Sequence, residues 1–238
     1  MKRISVAVAN KRIEVQLYEP PLQRKNTAIL YLHGWNSRPN QFVLDMLSER
    51  GYLCVAPVFR GHEGSDGAIQ SVTAADALAD AVAAYDFLRE QVGNEDNISV
   101  IGSSYGAYIG ALLTEERPVS ALALRVPANY PDERFDQPKW GDGAENEQIN
   151  QWRQQALSWQ SNRALAAVHA FRGHIQIIES GADEQVPHQT VKNYVDAVYD
   201  PAKLEYKIMP NWPHSFSYHS ARAGQYVDTV FAWLDNLP

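Results

Sequence analysis

From Thr27 onward, short runs of continuous apolar residues alternate with longer stretches of helical periodicity, and this alternation constrains the fold more than any other feature of the chain. The runs TAILYLH (27–33), YLCVAPVF (52–59), ISVI (98–101), VSALALRV (119–126), HIQIIESG (174–181) and KLEYKIM (203–209) have the length and β-branched content of strands. Strands apolar on both sides need cover on both faces, which parallel strands acquire from the helices that cross between them. Those helices are expected in QFVLDMLSERG, ending at Gly51, in TAADALADAVAAYDFLREQVG, in PHQTVKNYVDAVYD and in the closing segment from Tyr218 to Leu234. The second opens with Thr73 and Asp76 at capping-box spacing. Ahead of all this, ISVAV and RIEVQLYE alternate with period two and form an antiparallel pair turning at Ala9 to Lys11. The expected architecture is α/β, a mostly parallel central sheet flanked by helices, with residues 1–238 forming one domain.

The alternation breaks from Asn129 to about Ser161, where six acids, several glutamines and Trp140, Trp152 and Trp159 stand together. A stretch of that length reads as a lid-like insertion. Its tryptophans are expected either to roof a substrate pocket or to anchor the insertion to the body. The net charge of −7 excludes a general nucleic-acid binder, and no apolar run approaches the ~20 residues of a membrane span. The early apolar stretch is interrupted by Asn10, Lys11 and Arg12, so a secretory leader is not expected. The single cysteine, Cys54, lies in a strand-like run; it allows no internal disulfide, suits a reducing, cytoplasmic location and reads as a buried inert thiol.

Within NISVIGSSYGAYIGALL, two serines sit between a strand and a helix. They either cap the helix or one of them is a nucleophile on a strand–turn–helix elbow, which requires Gly two residues before and two after. Only Ser104, between Gly102 and Gly106, satisfies that spacing. A serine nucleophile needs a base, and the base an orienting acid, in the chain order Ser, Asp, His. Asp183 in ESGADEQVP and His214 in MPNWPHSF supply that order, each in a loop after a strand. Backbone donors for an oxyanion are expected from Tyr105, after the nucleophile, and from Trp35 in HGWNS, where Gly34 permits a close turn. GHEGSDG reads as a turn; Arg60 and His62 either line the pocket or, as is commoner, belong to a solvated turn.

Through LYLHGWNS, RGHEGSDG, GSSYGA, GADEQVP and PHSF the chain resembles the α/β-hydrolase superfamily over nearly its whole length, most closely the prolyl-oligopeptidase-like and dienelactone-hydrolase-like catalytic domains. The resemblance matches Ser104 to the nucleophile, Asp183 to the acid, His214 to the base, and Trp35 and Tyr105 to the oxyanion positions. It implies a serine hydrolase of small carboxylic esters, and a pocket roofed by the tryptophans would favour apolar or aromatic ones. Thioesters, peptides and amides are alternatives within the same apparatus; a non-catalytic binding protein on the same fold is the alternative outside it. No cofactor or metal is implied, and the partner is a small-molecule ester.

Overall fold

A computed structural model describes residues 1–92, 98–139, 143–215 and 221–237. Eight strands form one sheet in the order β1-β2-β4-β3-β5-β6-β7-β8. β1 (Lys2–Val8) and β2 (Lys11–Tyr18) are the antiparallel hairpin, and β2 pairs antiparallel with β4 (Leu53–Pro57). All remaining pairings are parallel, joining β4 to β3 (Ala28–Leu32), β5 (Ile98–Ser103), β6 (Ala121–Arg125), β7 (His174–Ser180) and β8 (Leu204–Met209). The carboxyl ends of these six strands therefore share one edge. The winding reverses between β3 and β5, the position at which open α/β sheets form their crevice.

The strand residues divide between two cores because successive side chains point to opposite faces. Leu30, Leu32, Val55, Val100, Leu122, Leu124, Ile175 and Ile177 are buried on the face covered by α2 (Ala74–Val92), α3 (Tyr105–Glu116), α5 (Arg163–Ala170) and α6 (His188–Ala197). Ile29, Tyr31, Cys54, Ala56, Ile101 and Ile178 pack on the other face against α1 (Gln41–Glu49) and α7 (Ala221–Leu234). Cys54 is fully buried, and burial pushes its thiol well above the usual range, which fits an inert side chain. No helix is long and apolar enough to cross a membrane among the described residues.

Helix starts follow local chemistry. Thr73 and Asp76 exchange side chain-to-backbone hydrogen bonds of 3.0 and 3.1 Å, the reciprocal capping box. Asn40 caps α1 and Asn162 caps α5. α5 was not foreseen in the sequence, although Asn162 followed by RALAAVHA carries both a cap and good helix formers.

The expectation of a solvated turn at Arg60 is overturned. Its guanidinium donates to Asp80 at 2.6 and 2.9 Å and to Asp76 at 2.7 Å, and the Asp80 side chain is fully buried. Because Asp80 also accepts the Arg60 N–H at 2.8 Å, the cluster ties the loop after β4 to α2. Removing one partner of a buried ion pair strands the other, so Asp80→Ala is expected to destabilise the protein by about 3–5 kcal/mol. Thermal unfolding would register this as a fall of roughly 6–20 °C; an unchanged melting temperature would show the cluster to be dispensable.

Candidate active site

The turn after β5 is built by steric necessity. A Cβ on Gly106 would lie 2.1 Å from the Leu32 carbonyl oxygen, and one on Gly102 would lie 2.5 Å from the Gly106 carbonyl oxygen. The two glycines thus let α3 press against β3 and β5, and Ser104 between them is forced to φ 54°, ψ −113°. Such a conformation costs of order 1–3 kcal/mol. It is held by four backbone bonds: Ser104 N–H to Arg125 O at 2.9 Å, and Ser104 O accepting from Ala107, Tyr108 and Ala128. Val126, a β-branched residue at φ 40°, turns the chain beside it.

Neither serine caps the helix with its side chain, although Ser104 occupies the N-cap position of α3. The Ser104 side chain makes no capping bond, and Ser103 Oγ accepts instead from Arg125 at 3.3 Å. Ser104 lies on the wall of a cavity of about 460 Å³ at the carboxyl edge of the sheet, a volume that suits a small molecule.

His214 lies on the same wall, and its Nδ1 is 2.8 Å from Asp183 Oδ2. Both side chains are shielded from solvent, with 8% and 6% exposure. Asp183 Oδ1 also accepts the Gln185 and Val186 N–H groups, each at 2.8 Å. Burial acts to raise the Asp183 pKa, but the His214 hydrogen bond, the two N–H donors and the imidazole charge outweigh it and hold the carboxyl below its ordinary value. An ionised carboxylate at Nδ1 fixes that nitrogen as the donor and leaves Nε2 to accept a proton.

Of the two expected oxyanion donors, Trp35 lines the cavity and Tyr105 directly follows Ser104 at the start of α3. Neither backbone N–H donates to an acceptor among the described residues, so both are available. Trp35 belongs to the loop after β3, and its ring meets Tyr105 edge-on at 5.1 Å. A Cβ on Gly34 would make only ordinary contacts, the closest 3.4 Å, so the close turn does not demand glycine as expected. The loop is anchored instead by His33, whose Nε2 accepts the Phe59 N–H at 3.1 Å while Nδ1 faces the Gly34 carbonyl at 2.8 Å. Burial drives the His33 pKa down to about 3, keeping the ring neutral in this role.

Three features of the site were not read from the sequence. Arg125, at the end of β6, donates to the His214 carbonyl at 2.6 Å and to Ser180 Oγ at 3.3 Å, joining the His214 loop to β5 and β7. The insertion reaches the cavity through Tyr130, Lys139 and Arg153. A wider cleft of about 850 Å³ adjoins the cavity across Asn36, Ser37 and Arg38, and His62 lines it rather than the cavity.

Of the two roles expected of the tryptophans, roofing the pocket or anchoring the insertion, the described residues place neither Trp152 nor Trp159 on the cavity wall. Trp159 is 39% exposed and stacks on His169 with ring centroids 4.1 Å apart, on the outer side of α5. Trp152 is half-buried in α4 (Gly143–Arg153) and is not part of the cavity wall; its neighbour Arg153 is. On a helix, adjacent residues face about 100° apart, so only one of the two can point inward. Trp140 lies outside the described residues.

This sheet, with a serine on a strained strand-to-helix turn at its carboxyl edge, defines an α/β-hydrolase superfamily serine hydrolase, and the protein is a hydrolytic enzyme. The chain belongs to the Peptidase_S15 family, described as X-Pro dipeptidyl-peptidase (S15 family), whose model matches residues 10–157. The matched span includes Ser104 and stops before Asp183 and His214. Solved structures share the fold at low identity. An alpha-beta serine hydrolase homologue from Coxiella burnetii is 20% identical over 98% of this chain and 97% of that one, with a TM-score of 0.71. Est1E from Butyrivibrio proteoclasticus, solved with ferulic acid bound, is 17% identical over 96% and 98%, with a TM-score of 0.75. The acylaminoacyl peptidase of Pyrococcus horikoshii is 16% identical over 99% of this chain but 41% of its own, with a TM-score of 0.74. No curated protein sequence matches the chain.

Proposed function

We propose that the protein hydrolyses carboxylic esters of small molecules, with Ser104 as nucleophile, His214 as base and Asp183 as its orienting acid. The observation that carries this reading is the buried His214–Asp183 pair at 2.8 Å on the wall that also presents Ser104. Ser104 Oγ makes no hydrogen bond among the described residues. Its link to the imidazole closes when substrate is bound, as is common for catalytic hydrogen bonds that are long in the free enzyme.

In the reaction, Ser104 Oγ bonds to the acyl carbon as its proton passes to His214 Nε2. The oxyanion is held by the Trp35 and Tyr105 N–H groups, the second at a helix N-terminus whose dipole favours negative charge. Collapse breaks the bond to the leaving alkoxide, which takes the proton from His214. Water, deprotonated by the same imidazole, then attacks the acyl-serine, releasing the acid and restoring Ser104.

Amide hydrolysis is the second reading, favoured by the family match and by the likeness to an acylaminoacyl peptidase. Two measurements separate these readings from each other and from a binding protein. A fluorophosphonate probe is expected to label Ser104, with the adduct located by peptide mass spectrometry. The kcat/KM for p-nitrophenyl esters is expected to exceed that for X-Pro p-nitroanilides; the reverse order would establish the peptidase reading. An unlabelled protein that hydrolyses neither would overturn both.

A further inference from the structure

The whole protein is acidic, with 28 Asp and Glu against 21 Lys and Arg. The cavity that contains Ser104 reverses this balance. Its described wall includes Arg38, Arg125, Lys139 and Arg153 and not one Asp or Glu. Two of the four are absorbed by the fold: Arg38 pairs with Glu63 and Glu14, and Arg125 is committed to Ser103, Ser180 and the His214 carbonyl.

Lys139 and Arg153 differ. Neither has a carboxylate partner among the described residues. The Lys139 ammonium stands 4.5 Å from the centre of the Trp35 ring, 5.2 Å from Tyr130 and 5.7 Å from Tyr105. Arg153 is 9% exposed; its Nε donates to the Asn129 carbonyl at 2.8 Å, and its guanidinium lies 4.4 Å over the Tyr130 ring. Both cations converge on one buried phenol. Burial would raise the Tyr130 pKa, yet Arg153 and Lys139 bring it below the ordinary tyrosine value.

Cation–π contact explains how these charges are held partly desolvated without a carboxylate. It does not neutralise them. A sheltered pair of like charges attracts an anion, and an arginine fork beside a lysine suits the oxygens of a carboxylate. Trp35, whose N–H is the proposed oxyanion donor, carries Lys139 over its ring, so the charge lies one side chain from the reacting carbonyl.

Resting on the hydrolase reading above, we infer that Lys139, Arg153 and the Tyr130 hydroxyl form a carboxylate-binding subsite, and that the substrates are esters bearing a free carboxylate. The apolar or aromatic ester expected from the sequence gives way to an anionic one. Among the described charged residues of this wall, a peptide's free α-ammonium would meet only like charge.

The test compares matched substrate pairs: mono-p-nitrophenyl adipate against p-nitrophenyl hexanoate, and 4-carboxyphenyl acetate against 4-carbamoylphenyl acetate. At least one anionic member is expected to exceed its neutral partner in kcat/KM by about 10- to 100-fold, the scale of charge-assisted hydrogen bonds. Lys139→Met and Arg153→Met should each shrink that ratio, and the double variant should bring it near one. Lys139→Arg should keep most of it, which a purely structural role for the charge would not predict. Melting temperatures establish that each variant is folded.

A second readout needs no turnover. Adipate is expected to protect Ser104 from fluorophosphonate labelling in wild type but not in the double variant, and adipamide in neither. If neutral esters are hydrolysed and Ser104 is labelled, while neither pair shows an anionic preference and adipate gives no protection, the subsite is overturned and the hydrolase stands. If Ser104 is not labelled and no ester is hydrolysed, the hydrolase reading fails and the subsite fails with it.

Discussion

Ser104→Ala is expected to lower kcat/KM for the best ester by about 10⁶-fold or to the rate of the buffer, because nucleophile and base act as a unit. Ser103→Ala is the matched control. Its hydroxyl accepts from Arg125 and lies off the apex of the turn, so most activity should survive. The two serines are adjacent and differ in backbone conformation: only Ser104 has the positive φ that lifts its side chain off the helix. Active-site titration with a fluorophosphonate would count functional sites in both variants. Activity retained in Ser104→Ala and lost in Ser103→Ala would reverse the assignment.

Asp183→Asn is the second large effect. The Gln185 and Val186 N–H groups would hold the amide oxygen and leave the amide NH2 to donate to Nδ1, and the wrong tautomer should lower kcat by about 10⁴-fold with little change in fold. Three of the other aspartates between Ser104 and His214 are engaged elsewhere: Asp132 accepts from Asn162 and the Arg163 N–H, Asp196 pairs with Lys192, and Asp200 caps the Ala202 N–H. A variant at Asp200 that reproduced the loss, with Asp183→Asn near wild-type rate, would overturn the placement.

The pH dependence of stability follows from the same carboxyl. The pKa of Asp183 is lowered in the folded protein, so the stabilisation it contributes is present above its unfolded value of about 3.9 and is lost as pH falls through the lower folded value. Across the working range the carboxylate stays ionised. Any loss of kcat/KM as pH falls across that range therefore comes from a group other than this carboxyl. Activity undiminished at pH 4 would be incompatible with a histidine base.

The order of strands and helices was written locally in the sequence, because apolar period and capping chemistry depend on residues within a few positions of each other. Thr73 and Asp76 need only three residues to recognise one another. The elbow was equally legible: Gly102 and Gly106 are sterically required once a strand must turn sharply into a helix pressed against its neighbour. Chain order then put Ser104, Asp183 and His214 after three parallel strands, and parallel strands share an edge, so their convergence followed from topology. The insertion was different. Three tryptophans advertised apolar area, but burial is non-directional, and Trp159 found its partner in His169 outside the cavity. Which face of α4 turns inward, and so whether Trp152 or Arg153 lines the cavity, was set by long-range contacts such as Arg153 to the Asn129 carbonyl and Thr190 to the Arg153 carbonyl. The same holds for Arg125, whose partners come from three strand ends and whose place beneath His214 no local pattern encodes. Sequence determined the sheet and the order of the three residues proposed as a triad because near neighbours and strand direction carry them; the tertiary structure alone decided the charge of the cavity, because that charge depends on which side chains distant segments turn toward one another.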